Sequence, residues 1–228
     1  MRTGLTAALL LGLAVLAAPA GADTFLADFS GYDWTSPTPN CPTCIGNHYD
    51  MNGRVGTANP TYLTYNFTLN EYTCVISGLV IVGVDYFPGT TVVHLSGGSI
   101  YLIGDSKTTG THAAYNRDGL CDPVYDRLHF VDGDTTLYGT FSSFDIAYDP
   151  ATFDGNFVGV TNWIGGSQIG NIPANQRDGW TFAALGRVFP GMVPCGYFWQ
   201  ADGNCVLQEP VPVEQKTWGD IKTMFIRH

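Results

Sequence analysis

The chain has 228 residues, of which only 13% are charged, while 28 are Gly and 30 are aromatic (13 Phe, 12 Tyr and 5 Trp). Its formal net charge of −10 repels phosphate backbones and anionic membrane surfaces, which argues against nucleic acid as a partner. Few helix formers combined with many turn formers and ring residues point to extended strands joined by tight loops.

Residues 1–22 read as a secretory signal peptide: Arg2 supplies the positive start, an Ala/Leu-rich stretch follows from Leu5, and Ala20-Gly21-Ala22 fits the small-residue cleavage rule. That apolar stretch is shorter than the roughly 20 residues a bilayer span needs, and no later run comes close, so no membrane span is expected after cleavage. The mature chain, from Asp23, carries 9 Lys+Arg against 20 Asp+Glu, a net charge of −11. The expected address is outside the cell or on its surface, where thiols oxidise. Of the acids, 17 are Asp and 3 are Glu, a bias that turn chemistry explains, because a short carboxylate bonds nearby backbone amides.

The first element after the leader with a local signature is Cys41-Pro42-Thr43-Cys44. Its C-x-x-C spacing suits redox chemistry only where the first Cys opens a helix, and here it follows the loop-like Ser36-Pro37-Thr38-Pro39-Asn40, so a structural bridge is expected. Tyr62–Leu69 alternates cleanly, with Leu63, Tyr65, Phe67 and Leu69 on one face, and reads as a half-buried strand. Thr73–Val84 is nearly continuous in apolar residues and reads as a central strand with a bulge at Gly78 or Gly83. Gly97-Gly98 between two strand-like runs reads as a hairpin turn, and so does Asp132-Gly133 between Arg127–Val131 and Asp134–Tyr138. A third hairpin joins Phe144–Tyr148 to Asn156–Thr161, and Trp180–Leu185 and Tyr197–Leu207 supply further strands. About nine to eleven closely spaced strands without βαβ alternation predict an antiparallel β-sandwich or jelly roll over residues 23–208.

The remaining cysteines are Cys74, Cys121, Cys195 and Cys205, and an even count in an exported chain favours disulfides. Cys195 and Cys205 flank Asp202-Gly203, a good hairpin turn, which predicts that they pair and leaves Cys74 to Cys121. Residues 209–228 differ in character. Glu209-Pro210-Val211-Pro212-Val213 is a stiff linker, and Thr217 caps a short helix with Trp218, Ile221 and Phe225 on one face. That helix either packs on its own domain or serves as a sorting tag or subunit contact.

Gly179-Trp180-Thr181-Phe182, Pro194-Cys195-Gly196-Tyr197 and the ending Thr217-Trp218-Gly219-Asp220-Ile221-Lys222 resemble uncharacterised exported proteins of environmental bacteria. Those proteins end in a Thr-Trp-Gly-x-Ile/Val-Lys-x-Leu-Tyr-like pattern, from which this chain departs with Met224-Phe225. The resemblance implies export and an accessory tail; that family has no established activity, so nothing catalytic is drawn from it.

Chemistry is sparse. H-E-x-x-H, P-loop and G-x-G-x-x-G patterns are absent, and Ser99 and Ser167 follow Gly-Gly without the closing Gly of a nucleophile elbow. His94 and His129 fall in strand-like runs where they could share a face. Asp132-x-Asp134 and Asp118/Asp122/Asp126 raise calcium, but EF-hand spacing fails, and no metal or cofactor is expected. The best candidate surface is Thr161–Trp180, where Trp163, Arg177 and Trp180 could stack on and read a sugar; the competing reading places both indoles in the core. The leading expectation is a non-catalytic exported protein acting as a surface, matrix or assembly component, its partners a surface polymer or identical subunits. A carbohydrate-binding module and a hydrolase with an Asp-based site are the alternatives.

Overall fold

The structure is a computed structural model and describes residues 24–116, 119–187 and 193–207. The signal peptide, the Pro-rich linker and the C-terminal helix of the sequence reading lie outside the described residues. Eight strands follow in chain order: β1 (Thr24–Ser36), β2 (His48–Ala58), β3 (Asn70–Phe87), β4 (Thr90–Ser106), β5 (Asp134–Tyr148), β6 (Gly155–Gly165), β7 (Trp180–Arg187) and β8 (Gln200–Leu207). Each pairs antiparallel with its neighbour, and β8 returns to β1 with Phe29 opposite Gly203, so the sheet closes on itself. The all-β expectation holds. The sandwich or jelly roll is replaced by one closed up-and-down barrel, because the β1–β8 pairing leaves no pair of separate sheets to stack.

The inner face of every strand feeds a single apolar core that includes Phe29, Met51, Ile76, Leu102, Phe144 and Phe182. Rings dominate, and glycines opposite them make room: a Cβ on Gly159 would lie 2.6 Å from the Phe144 ring, and one on Gly186 would lie 2.2 Å from that of Phe157. Small residues facing large ones are how side chains fill a narrow eight-stranded barrel. The outer wall carries Asp85, His94, Asp145 and Asp202, with His94 bonded to Asp145 (2.7 Å) and Asp85 (3.1 Å). The outer wall also exposes Val158, Ile164 and Leu185, while the interior is apolar, where the lumen of a transmembrane barrel is polar. No helix among the described residues is long and apolar enough to cross a membrane.

Several local readings change. Gly97-Gly98 is a bend inside β4, where both residues take positive φ (72° and 74°) opposite the positive-φ Gly78 of β3, and the two strands pair on either side of it. The bulge expected in the Thr73–Val84 strand is present, with a register shift between Ile81 and Gly83. The β5–β6 hairpin is as expected, with Tyr148 opposite Gly155. Tyr62–Leu69 is part of the connection between β2 and β3. Its amides bond turn carbonyls, as Leu63 N to Asn59 O (2.9 Å), or side chains, as Thr64 N to Gln168 Oε1 (2.7 Å) and Asn66 N to the Tyr72 hydroxyl (2.9 Å). The segment before Asp132-Gly133 forms a short helix, α1 (Pro123–Arg127), capped by Asp122, followed by turns that bring Phe130 N onto Arg127 O.

The connection carrying α1 folds over the outer wall, where Val75, Ile103, Ala113 and Phe130 make a second, smaller core. Beneath it, buried Asn52 donates to Pro123 O (3.1 Å) and to the Tyr197 hydroxyl (3.0 Å), which in turn donates to Asp126 (3.1 Å). Arg127 lies over the Trp34 ring and pairs with Asp50 at 2.9 Å. A disulfide between Cys121 and Cys195 ties this cover to the β7–β8 connection. Cys41–Cys44 is bridged as expected. The Cys195–Cys205 and Cys74–Cys121 pairings are overturned: Asp202-Gly203 lies within β8 and makes no turn, and Cys74 and Cys205 are free thiols facing the barrel core. Burial pushes the Cys74 thiol up to about 12, so it stays protonated. Non-reducing peptide mapping is expected to recover Cys121 joined to Cys195, with Cys74 and Cys205 alkylated only after denaturation; a peptide linking Cys195 to Cys205 contradicts the fold.

Candidate cleft at one end of the barrel

The three residues singled out for sugar binding meet in space, but as structure. Trp163 is 1% exposed and Trp180 is fully buried, so neither ring face is open to a ligand. Trp180 Nε1 donates to Gln176 O (2.6 Å), and Arg177 donates to the carbonyls of Ile172 (3.1 Å) and Ile169 (3.2 Å). Arg177 thereby shapes the β6–β7 connection, and the indoles close that end of the core.

The open feature at the same end is a cleft of about 500 Å³. The β2–β3 connection contributes Thr64, β3 contributes Asn70 and Tyr72, and the end of β4 contributes Asp105 and Ser106. The start of β5 adds Asp134 and Thr136, with Asp132 just before it and Gln168 across the opening. The acids come together because β4 and β5 pair with Gly104 opposite Asp134. Burial and the charge of Asp105 hold the Asp132 carboxyl above its ordinary range. Below them the framework is rigid: Thr136 Oγ1 bonds Leu102 O (2.8 Å) and the Tyr65 hydroxyl (2.6 Å), and Tyr65 stacks on Tyr72 at 3.7 Å between ring centroids.

A second cavity of about 370 Å³ adjoins the first and shares Asn70 and Tyr72 with it. Phe67 lies here, 36% exposed and edge-on to Tyr72 (5.1 Å). Glu71 pairs with Arg54 (3.0 Å) and faces His112 (3.5 Å), and Lys107 Nζ donates to Phe67 O (2.6 Å).

This arrangement presents fixed acceptors, hydroxyls and an amide beside an aromatic ring, which suits a polyhydroxylated ligand. Ser106 Oγ meets Thr108 Oγ1 (3.0 Å). Among the described residues no group of three or more His, Cys, Asp or Glu is placed to hold a metal ion. Of the acids that raised calcium, Asp122 caps α1, Asp126 accepts from Asn116 N (2.7 Å), Asp132 and Asp134 line the cleft, and Asp118 lies outside the described residues. His129 sits in the turns after α1, away from the strand that holds His94.

The chain matches no protein-family model, no curated protein and no solved structure. The cleft residues therefore rest on geometry alone. Tyr72 falls between the strand-like runs Tyr62–Leu69 and Thr73–Val84, and Asp105 and Asp134 become neighbours only through the β4–β5 register. Asp132 carried a signal, but turn chemistry explained it equally well.

Proposed function

We propose that this is an exported, non-catalytic β-barrel that binds a glycan at the end-on cleft and works as a surface or matrix component. The observation that carries the reading is the 500 Å³ cleft, whose lining of hydroxyls, amides and carboxylates adjoins the Phe67 ring. Carboxylates and amides accept and donate to sugar hydroxyls, and ring C–H faces pack on aromatic side chains. The filled interior favours a ligand held outside the barrel. The Cys41–Cys44 and Cys121–Cys195 bridges are compatible with an oxidising compartment. A closed barrel also offers no free strand edge, which favours attachment through side chains over strand addition.

The test is affinity electrophoresis and pull-down of the mature chain against insoluble and soluble polysaccharides. Retention is expected on at least one of them. Asp134→Asn should weaken it about tenfold, the scale of one lost hydrogen bond to a charged group. Absence of retention on every polysaccharide and on a glycan array removes this reading.

A further inference from the structure

Four surface depressions follow one another around the barrel, each sharing a lining residue with the next. The cleft meets the 370 Å³ cavity at Asn70 and Tyr72. That cavity meets a third depression of about 490 Å³ at Arg54, and the third meets a fourth of about 310 Å³ at Asp202. The strand register makes the outer part of this path a straight line. Arg54 of β2 lies opposite Ser30 of β1, Ser30 opposite Asp202 of β8, and Asp202 opposite Leu185 of β7. All four are partly or fully open to solvent on the outer wall. Three strand spacings cover about 14 Å, more than one sugar ring, before the two cavities at the barrel end are added.

We propose that these depressions form one track for an extended polysaccharide chain, so that the protein binds chain-internal segments several sugars long and not a terminal sugar. This rests on the glycan reading of the cleft and extends it to the ligand's length and direction, across the strands from β7 to the rim at β5. The third depression sets the polar groups of Asp28, Ser30, Arg54, Asp202 and Asn204 in a surface that is otherwise mostly apolar. A sugar chain matches such a mixed wall, with hydroxyls for its polar groups and C–H faces for its apolar ones. An extended peptide has less to gain, because its backbone amides need a free sheet edge, and the closed barrel has none.

The experiment is calorimetric titration of the full mature chain with cello-, xylo- and chito-oligosaccharides from disaccharide to octasaccharide, alongside the polysaccharides themselves. Affinity is expected to rise about tenfold or more beyond the disaccharide before levelling. Asn204→Trp, which fills the third depression from an exposed position, should reduce long-chain affinity to the short-chain value and leave disaccharide binding unchanged. Ser30→Trp, on the neighbouring strand, provides a second obstruction of the same stretch. Affinity that is flat with length, or long-chain binding untouched by both variants, overturns the track while leaving the cleft as a glycan site. Failure of every oligosaccharide and polysaccharide to bind overturns the glycan reading itself, and retention on denatured collagen in their place assigns the groove to a peptide.

Discussion

Trp180→Ala is expected to destabilise the barrel by about 3–5 kcal/mol, the range for deleting a large buried ring from a core that cannot collapse around the loss. Trp180 is fully buried at the start of β7, with its ring edge against Tyr62 at 5.7 Å and its Nε1 bonded to Gln176 O. Removing it opens a cavity at the barrel end and also leaves that carbonyl without its donor. Denaturant unfolding should show the midpoint falling with little change in slope. Phe67→Ala is the informative partner, because a ring already 36% exposed contributes little to the core but flanks the cleft. It should reduce glycan retention with a small loss of stability. The opposite pattern, with Trp180→Ala stable and unable to bind while Phe67→Ala binds normally, would return the site to the indoles.

Much of the strand pattern was legible, and the parts that were not share one cause. Apolar runs and turn residues located β3, the β5–β6 hairpin and β7, because these signals are local, whereas the clean alternation of Tyr62–Leu69 belongs to a connection. Gly97-Gly98 was local too, but two positive-φ glycines serve equally for a two-residue turn and for a bend within a strand. What decides is the pairing of the flanks: Leu95 and Ser99 pair with Phe144 and Thr140 of β5, not with each other. Asp202-Gly203 failed for the same reason, since Asp202 lies between Ser30 and Leu185 in a continuous ladder. The misassigned disulfides follow directly, as a turn that does not exist cannot bring Cys195 to Cys205. Closure of the barrel depends on residues near the two ends of the described chain, Thr24 and Leu207, which no short window of sequence compares. The cleft inherits this opacity: its acids come from different elements and meet only through strand register, whereas Trp163 and Trp180 stood out by residue type and proved to be core.

The far end of the barrel should make stability fall as pH rises from about 4 to about 7. Asp33 points inward from β1 and is fully buried; its carboxylate accepts from the Tyr49 hydroxyl (2.5 Å) and from Trp199 N (2.9 Å). Backbone bonds from Asp33 N to Trp199 O and from Phe198 N to Asp33 O fasten the same segment, which places the buried Trp199 as a plug among Tyr148, Phe153 and Phe157. Burial raises the Asp33 carboxyl to about 7 against the two hydrogen bonds that lower it. The folded protein therefore holds a proton that the unfolded chain releases near its ordinary 3.8. Below that value both states are protonated and the stabilisation is complete. It declines as pH rises and is gone above about 7, a total of roughly 4 kcal/mol. Asp33→Asn cannot ionise, retains an acceptor for Trp199 N and offers an amide to the Tyr49 oxygen, so its unfolding midpoint should lack this descending limb. His94 titrates in an overlapping window with the same sign, because its bonds to Asp145 and then Asp85 raise it. It is exposed, however, and its contribution fades with added salt, while that of buried Asp33 persists. Urea midpoints for both proteins between pH 4 and pH 9 at high salt isolate the difference. Parallel curves would show that Asp33 is ionised across that range, and that a carboxylate holds the plug there.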